Sequence, residues 1–237
     1  AARCPVIVAP AGYGKTTAAL DYLAKCGLPA AWLSLDANDN NPTTFWRYVM
    51  AALEGVAPGV GRDAEYVFSS RELLDADAHV SILIDRLDSV KADFIAVFDD
   101  LHLIDDPETL RGLAYLIEYM PPGMHLVLTS RTEPELRLTR RFLAGQILRL
   151  DEKDLRFSNQ EISGFYRARG FELAGDEIKQ VESYTEGWAA ALVAVAMSME
   201  RARGGAGVIA GLARASRDIG EYLKGEVIAS WRPEKLD

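Results

Sequence analysis

Short apolar runs alternate with amphipathic segments through the first part of the chain. The runs have the length and the β-branched and aromatic content of buried strands, and they lie at residues 6–8, 31–35, 94–98, 125–129 and 146–150. Between them, apolar residues that recur every three or four positions predict helices at residues 15–25, 42–55, 80–90 and 108–119. Strands and helices that alternate in this way predict a doubly wound α/β fold with a five-stranded parallel sheet.

The pattern changes after Asp151, where predicted strands give way to helices. Ser158 and Glu161 form a capping box ahead of the apolar Ile162 and Phe165, and further helices are predicted at 176–184, 187–202 and 207–231, the last of them interrupted. Residues 55–77 are rich in Gly, Asp and Ser and predict mostly a long surface loop. We therefore expect an α/β domain at residues 1–151 and a small helical domain at 152–237.

Composition narrows the class of protein. The chain has 237 residues, 49% of them hydrophobic and 26% charged, which is enough to bury a full core. The formal net charge of −9 argues against a broad basic surface for nucleic acid, and the basic stretch at 137–141 is too short to reverse that. The longest apolar stretch, residues 188–199, is shorter than a membrane span and is flanked by charges. We expect a cytoplasmic protein without a signal peptide, whose natural beginning lies upstream.

Few residues are available for metal binding through cysteine or histidine. Cys4 and Cys26 are too few for a zinc site or a disulfide framework. The three histidines, at positions 79, 102 and 125, show no ligand spacing. The sequence therefore predicts no metal site other than one for Mg²⁺ that arrives with a nucleotide.

A phosphate-binding motif lies between the first predicted strand and the first predicted helix. Its sequence is Ala9-Pro10-Ala11-Gly12-Tyr13-Gly14-Lys15-Thr16, which is a Walker A motif. Small residues let consecutive backbone N–H groups curl around phosphate oxygens, while Lys15 reaches the β and γ phosphates and Thr16 offers its hydroxyl to Mg²⁺. The usual motif opens with Gly, and Ala9 keeps that position small. The motif predicts that residues 1–151 bind a nucleoside triphosphate.

A second motif follows the most apolar predicted strand. Residues 94–98 end in Asp99 and Asp100, in the manner of a Walker B motif. At the carboxyl edge of a parallel sheet, Asp99 is placed to hold Mg²⁺ and Asp100 to position the water that attacks the γ-phosphate. Many P-loop ATPases have Glu at the position of Asp100, and the shorter side chain predicts slow hydrolysis, which suits a switch.

Two further features fit nucleotide binding. Arg131 follows the fourth predicted strand, at the same sheet edge as both Walker motifs, and is a candidate sensor of the γ-phosphate. A surface ion pair is the alternative role for this arginine. Gly187 and Trp188 begin a very apolar helix and are candidates for a contact with adenine, although a core position is the alternative for Trp188.

Motifs along essentially the whole chain occur in the order of a known family. They are Ala9 to Thr17, Ala31-Trp32-Leu33-Ser34-Leu35-Asp36, Asn40-Asn41-Pro42, Phe45-Trp46-Arg47-Tyr48, Asp99-Asp100-Leu101-His102-Leu103-Ile104, Thr129-Ser130-Arg131 with Pro134, Asp154-Leu155-Arg156-Phe157 and Glu186-Gly187-Trp188-Ala189-Ala190. Together they closely resemble the large ATP-binding LuxR-type transcription regulators, the MalT-like group of the STAND (signal transduction ATPase with numerous domains) P-loop ATPases.

This resemblance implies a nucleotide switch. By this resemblance, ADP would stabilise an inactive monomer, inducer and ATP would favour self-association, and hydrolysis would return the protein to its inactive state. The resemblance assigns Lys15, Thr16, Asp99, Asp100 and Arg131 the roles given above. The nucleotide contacts that it implies are Ala11, Gly12, Tyr13, Gly14, Lys15, Thr16, Thr17, Gly187 and Trp188.

The same resemblance implies further parts in the complete regulators. These are an adenosine-contacting segment before the first strand, a winged-helix domain, a helical-repeat inducer sensor and a DNA-binding helix-turn-helix. Residues 221–229 resemble the helix that leads into the winged-helix domain. We therefore expect this chain to be the nucleotide-binding and helical portion, monomeric by itself, with inducer, self-association and promoter DNA as partners of the full-length protein.

Two other classes of protein remain open. A small-molecule phosphotransferase also has a P-loop, and Arg137, Arg140 and Arg141 follow the fourth strand where an arginine-rich lid is expected. Transfer of phosphate to an added acceptor would identify it. A non-catalytic interaction module, in which nucleotide is only structural, would bind nucleotide tightly without turnover.

Overall fold

The computed structural model of the protein describes residues 3–61, 76–136 and 138–201. Within them the chain divides into two compact units. The first consists of the residues up to Ala9 together with the stretch from Lys15 to Asp151. The second consists of Pro10–Gly14 and the residues from Glu152 onward.

The first unit is built on a five-stranded parallel sheet, as the sequence predicts. Its strands are β1 (Cys4–Val8), β2 (Ala30–Ser34), β3 (Phe94–Asp99), β4 (Met124–Ser130) and β5 (Ile147–Leu150), in the spatial order β2-β3-β4-β1-β5. The register aligns Val8 of β1 with Ser130 of β4. It also aligns Phe98 of β3 with Leu128 of β4. The ends of β1, β3 and β4 therefore lie together at the carboxyl edge of the sheet.

Helices connect these strands. They are α1 (Lys15–Cys26), α2 (Pro42–Glu54), α3 (Ala76–Asp88), α4 (Pro107–Glu118) and α5 (Thr139–Leu143), with 3₁₀ turns at Ala37–Asp39 and Leu101–Leu103. Side-chain caps begin two of them, since Asn41 accepts from the backbone N–H of Thr44 and Asp106 accepts from that of Thr109. A proline follows each cap at the first helical position, where its missing N–H has no cost.

Three local differences from the prediction stand out. Helix α3 begins at Ala76, inside the predicted loop at 55–77. Residues 55–61 form turns that bury Ala57 and Val60, and residues 62–75 lie outside the described residues. Helix α5 was not predicted, because its five residues are too few to show a helical period.

The core of the first unit surrounds β3, all six residues of which are buried. Phe45 of α2 contacts Trp46 and Phe98 in edge-to-face geometry, with ring centroids 5.1 and 6.0 Å apart. Because β3 is covered on both faces, Asp99 at its end is attached to a tightly packed strand.

The second unit contains the helices α6 (Asn159–Ala168), α7 (Gly175–Thr185) and α8 (Ala189–Arg201). The predicted capping box is present, with Ser158 and Glu161 each bonding the backbone of the other. Buried Ile162, Tyr166 and Val181 pack with α8, and the Tyr166 hydroxyl donates to the Leu192 carbonyl at 3.0 Å. The predicted helix at 207–231 and the segment 221–229 lie outside the described residues. No helix in the described part of the chain is long and apolar enough to cross a membrane.

Candidate functional site

The carboxyl edge of the sheet gathers the charged residues that the two Walker motifs predict. The backbone N–H of Ala9, just after β1, donates to the Ser130 carbonyl at 3.2 Å, which places the start of the loop beside the end of β4. Lys15 and Thr16 begin α1, and Asp99 ends β3. This is the edge at which ligands of open parallel sheets bind.

Thr16 and Asp99 are in direct contact. The Thr16 hydroxyl lies 3.0 Å from Oδ2 of Asp99 and 3.3 Å from Oδ1. Asp99 is only 4% exposed, so its carboxylate is largely removed from water. A hydroxyl and a carboxylate are hard oxygen ligands, and Mg²⁺ is commonly bound by one or two such groups together with substrate phosphates. The pair therefore fits a magnesium–nucleotide complex.

Lys15 is a buried cation, with 7% exposure. Burial has the largest effect and lowers its pKa. The charges of Asp100 and Asp99 raise the pKa, and the charge of Arg131 lowers it. The net result is a pKa below the ordinary value, so the carboxylates compensate the buried charge only in part. An anionic group beside Lys15 would favour the charged form, which is the behaviour expected of a phosphate-binding lysine.

Asp100 has an unusual backbone conformation. Its φ of 62° and ψ of 40° place it in the left-handed region, which few residues other than glycine adopt. Its backbone N–H donates to the Thr129 hydroxyl at 3.1 Å. The Asp100 side chain is 37% exposed, so this carboxylate, unlike that of Asp99, is open to solvent.

His102 lies beside Asp100. Its Nδ1 is 3.7 Å from Oδ1 of Asp100. Burial lowers the pKa of His102, although the charge of Asp100 raises it, and the charges of Arg131 and Lys15 lower it further. The surroundings of His102 therefore disfavour its protonated form. His102 and Arg131 join Lys15, Asp99 and Asp100 in one electrostatically coupled group.

The phosphate loop itself, Pro10–Gly14, packs within the second unit. Gly12 and Gly14 have φ values of 78° and 79°, which only glycine adopts without strain. The indole N–H of Trp188 donates to the Ala11 carbonyl at 3.2 Å, and the backbone N–H of Ala190 donates to the Gly12 carbonyl at 3.0 Å. The start of α8 therefore fixes the conformation of the loop.

Close packing against Phe157 leaves no room for a side chain at Gly187. A Cβ on Gly187 would lie 2.7 Å from the Phe157 carbonyl oxygen, and its φ is 73°. The N–H of Phe157 also donates to the Gly187 carbonyl at 2.9 Å. Trp188 is directed at the loop, where its ring lies 6.3 Å from that of Tyr13.

The remaining candidates are placed as follows. Thr17 is exposed in the first turn of α1. Arg141, a member of the predicted lid, donates to Glu118 at 2.9 Å. Arg137 and the side chain of Arg140 lie outside the described residues. The structure adds Thr129, His102 and Ala190, which sequence reasoning did not select. Two signals were available for Thr129: it is a hydroxyl residue at the end of an apolar strand, and it belongs to the motif Thr129-Ser130-Arg131 that the family resemblance includes.

Several known proteins are similar to this chain over most of its length. No model of a protein family matches the chain. The chain is 29% identical over 237 residues to the serine/threonine-protein kinase PknK of Mycobacterium tuberculosis, covering 98% of this chain and 21% of that protein. It is 30% identical over 231 residues to the HTH-type transcriptional regulator MalT of Yersinia enterocolitica, covering 95% of this chain and 25% of that protein. The predicted resemblance to MalT is confirmed, and the chain spans a quarter or less of the length of these relatives.

Solved structures confirm the fold class. The Walker-type ATPase PABY2304 of Pyrococcus abyssi matches with a TM-score of 0.55 at 15% identity, over 96% of this chain and 69% of that one. The ORC1 protein of Aeropyrum pernix, solved in complex with DNA, matches with a TM-score of 0.51 at 15% identity, over 97% of this chain and 63% of that one. The chain has the P-loop ATPase fold, and together with the MalT relationship this supports a nucleotide-binding ATPase module.

Proposed function

We propose that this chain, a homologue of part of MalT on the fold of the P-loop ATPases, is a switch module that binds ATP or ADP with Mg²⁺ and hydrolyses ATP slowly. The observation that carries the proposal is the buried Lys15 beside the contacting pair of Thr16 and Asp99. These three groups supply a cation for phosphate and two oxygen ligands for Mg²⁺ at the ligand-binding edge of the sheet.

Each site residue has a role in this proposal. Lys15 holds the β and γ phosphates, and backbone N–H groups of the loop from Ala11 to Gly14 cradle them. Thr16 and Asp99 hold Mg²⁺, which neutralises phosphate charge when it is bound. Asp100 orients the attacking water, and Arg131 senses the γ-phosphate. Thr17, Tyr13, Gly187 and Trp188 complete the nucleotide contacts.

Slow hydrolysis follows from the surroundings of Asp100. Its side chain is one methylene shorter than that of Glu, and its left-handed backbone fixes where it projects. Burial also lowers the pKa of the neighbouring His102, which disfavours a positive charge beside Asp100. Slow hydrolysis would prolong the ATP-bound state, which suits a switch.

The switch role is supported by what the two relatives share. One is named a kinase and the other a transcriptional regulator, so their outputs differ, yet both contain the portion matched by this chain. A portion that occurs in proteins with different activities is suited to a regulatory step that those proteins have in common. In the full-length protein, ADP would maintain the inactive monomer, and ATP with inducer would permit self-association and binding to promoter DNA.

Phosphate release from ATP in the presence of Mg²⁺ tests the enzymatic part. We expect a measurable turnover, and Asp100→Asn should lower it by about a hundredfold or more, since a positioned general base typically contributes about 10²–10⁴-fold. Glu118→Gln serves as a control, because it removes an acidic group from the surface ion pair with Arg141. Phosphate transfer to an added small acceptor, in place of free phosphate, would identify a phosphotransferase, and binding without any turnover would identify an interaction module.

A further inference from the structure

Thr129 connects the two aspartates of the Walker B motif through one oxygen atom. It is fully buried near the end of β4. Because the register pairs Phe98 with Leu128, the next residues, Asp99 and Thr129, lie side by side on neighbouring strands. The Thr129 hydroxyl donates to Oδ1 of Asp99 and accepts the backbone N–H of Asp100.

In these two bonds the hydroxyl group acts once as a donor and once as an acceptor. A threonine oxygen has one hydrogen to donate and lone pairs to accept, so it can bridge a carboxylate and an amide, which neither valine nor alanine can do. The bond to Oδ1 fixes the rotation of the Asp99 carboxylate, whose Oδ2 lies 3.0 Å from the Thr16 hydroxyl. The bond from the Asp100 amide helps to hold a backbone conformation that is otherwise sparsely populated.

We propose that Thr129 is the positioning residue of this site: its hydroxyl aims the Asp99 carboxylate at Thr16 and holds Asp100 in the left-handed conformation, so that one aspartate serves the metal and the other serves the water. The predicted effects of Thr129 on Mg²⁺-dependent binding and on hydrolysis rest on the proposed function. The predicted protection of the Asp100 amide from exchange can be measured in the protein without nucleotide.

The chain contains a matched residue for comparison. Thr109 is also fully buried, and its hydroxyl donates to Oδ1 of Asp106 at 2.8 Å. That aspartate caps the start of α4. Replacing either threonine by valine therefore removes one buried hydroxyl that donates to a carboxylate, but only Thr129 lies at the candidate site.

The test compares Thr129→Val, Thr129→Ser and Thr109→Val in the whole chain. Titration with ATP in Mg²⁺ should show about a tenfold or greater loss of affinity for Thr129→Val, in line with the loss of a bond to a charged group. With EDTA in place of Mg²⁺, the affinities of the three variants and the parent should agree. Thr129→Ser should recover the Mg²⁺-dependent affinity, and its kcat should stay within about threefold of the parent's, in keeping with a retained hydroxyl.

A second readout needs no nucleotide. In Thr129→Val the amide of Asp100 should exchange with solvent faster than in the parent, because its acceptor is gone, while Thr129→Ser and Thr109→Val should retain the parent's protection. If Thr129→Val does not fold, Thr129→Ala carries the same expectations. A parent chain that fails to bind ATP, with the Asp100 amide still deprotected only in Thr129→Val, would overturn the proposed function and support the positioning role.

Three results would overturn the positioning role itself. One is a folded Thr129→Val with the parent's Mg²⁺-dependent affinity and Asp100 protection. Another is a Thr129→Ser that behaves like Thr129→Val in both readouts. The third is a Thr109→Val that loses as much Mg²⁺-dependent affinity as Thr129→Val, since the effect would then come from general destabilisation.

Discussion

Two lysines of α1 show how position determines the chemistry of a side chain. Lys25, in the last turn, forms an exposed ion pair with Asp21 at 2.6 Å, of the kind that contributes about 0–1 kcal/mol to stability. Lys15, in the first turn, is buried, and burial lowers its pKa. The same ammonium group is therefore a solvated surface charge at one end of the helix and a cation poised for an anionic ligand at the other.

The two aspartates of β3 and its following turn should differ in function. Asp99 is buried against Thr16, whereas Asp100 is more exposed and lies outside the strand. We expect Asp99→Asn to weaken Mg²⁺-dependent ATP binding by about tenfold, because a metal ligand loses its charge. Asp100→Asn should leave binding within about twofold and slow hydrolysis. Titration and phosphate release measure the two effects, and an equal loss of binding in both variants would show that the roles are misassigned.

At this scale the sequence identified the residues that belong to local motifs. Lys15 and Thr16 come shortly after β1 and Asp99 ends β3, and the carboxyl ends of parallel strands share one edge, so their meeting could be predicted from the parallel arrangement alone. Thr129 could not be found in this way, because its partners depend on the register between β3 and β4. The proximity of His102 to Asp100 depends on the left-handed turn at Asp100, and an aspartate alone does not predict such a turn, because only a minority of aspartates adopt it.

Among the elements, the phosphate loop is closely packed at Gly12. A Cβ on Gly12 would lie 2.7 Å from the Cβ of Ala190 and 2.9 Å from the indole nitrogen of Trp188. A Cβ on Gly27, which also has a positive φ, would meet nothing within 4 Å. The two glycines therefore separate the cost of backbone conformation from the cost of close packing.

We expect Gly27→Ala to lower the free energy of unfolding by about 1 kcal/mol, the backbone cost alone. Gly12→Ala should lower it by about a further 1–3 kcal/mol, because the methyl group must displace the start of α8. Denaturant unfolding of both variants measures the difference. Equal losses would mean that the methyl group meets no close contact at position 12, which would contradict the packing of the loop against the start of α8.

The capping box of α6 gives a second test at the scale of elements. Ser158→Ala should cost about 1 kcal/mol of stability, because the hydroxyl no longer accepts the backbone N–H of Glu161. Ser163→Ala, in the middle of the same helix, should not destabilise, since alanine has the higher helix propensity. Thermal unfolding of the two variants distinguishes the loss of a helix cap from the loss of any serine in this helix. Equal changes in the unfolding temperature would contradict a capping role for Ser158.

The same box predicts a pH dependence. The backbone N–H and then the hydroxyl of Ser158 lower the pKa of Glu161 from its ordinary 4.5. A lowered pKa in the folded state contributes stability above the unfolded pKa, and that contribution is lost as the pH falls through the folded pKa. The stability difference between the parent and Glu161→Gln should therefore be present at pH 7 and shrink below about pH 4.5.

Sequence reasoning placed most elements to within one or two residues where a cap or an apolar run marked them. Asn41-Pro42 and Asp106-Pro107 mark the starts of α2 and α4, and the uniformly apolar β3 could be read from composition. Helix α5 has no cap signal, and it exposes its apolar Phe142 and Leu143, so the usual amphipathic pattern is absent.

For the whole molecule, the fold follows from alternation of strands and helices, but the assignment of residues 10–14 to the second unit does not. The structure assigns Pro10–Gly14 to the same compact unit as α6 to α8, although these five residues directly follow β1 in sequence. No periodicity could reveal this, because it depends on contacts such as that between Gly12 and Ala190, far apart along the chain.

Charge at this scale predicts how the chain associates. With a formal net charge of −9, two copies repel each other and DNA phosphates are repelled as well. We expect this chain to remain a monomer with ATP and Mg²⁺ in light scattering, and not to retard DNA in a gel-shift at low salt. A defined nucleotide-dependent oligomer, or sequence-specific retardation, would show that these activities reside in these residues.

Calorimetric titration of the chain with ATP and with ADP, in Mg²⁺, tests the central claim most directly. We predict saturable binding of one nucleotide per chain, weakened about tenfold to more than a hundredfold by Lys15→Ala, since charge-assisted contacts contribute about 1.5–3 kcal/mol. Lys25→Ala, which removes an exposed lysine from the same helix, should bind as the parent does. No binding by the parent, or equal affinity for the parent and Lys15→Ala, would contradict the assignment of this edge of the sheet as a nucleotide site.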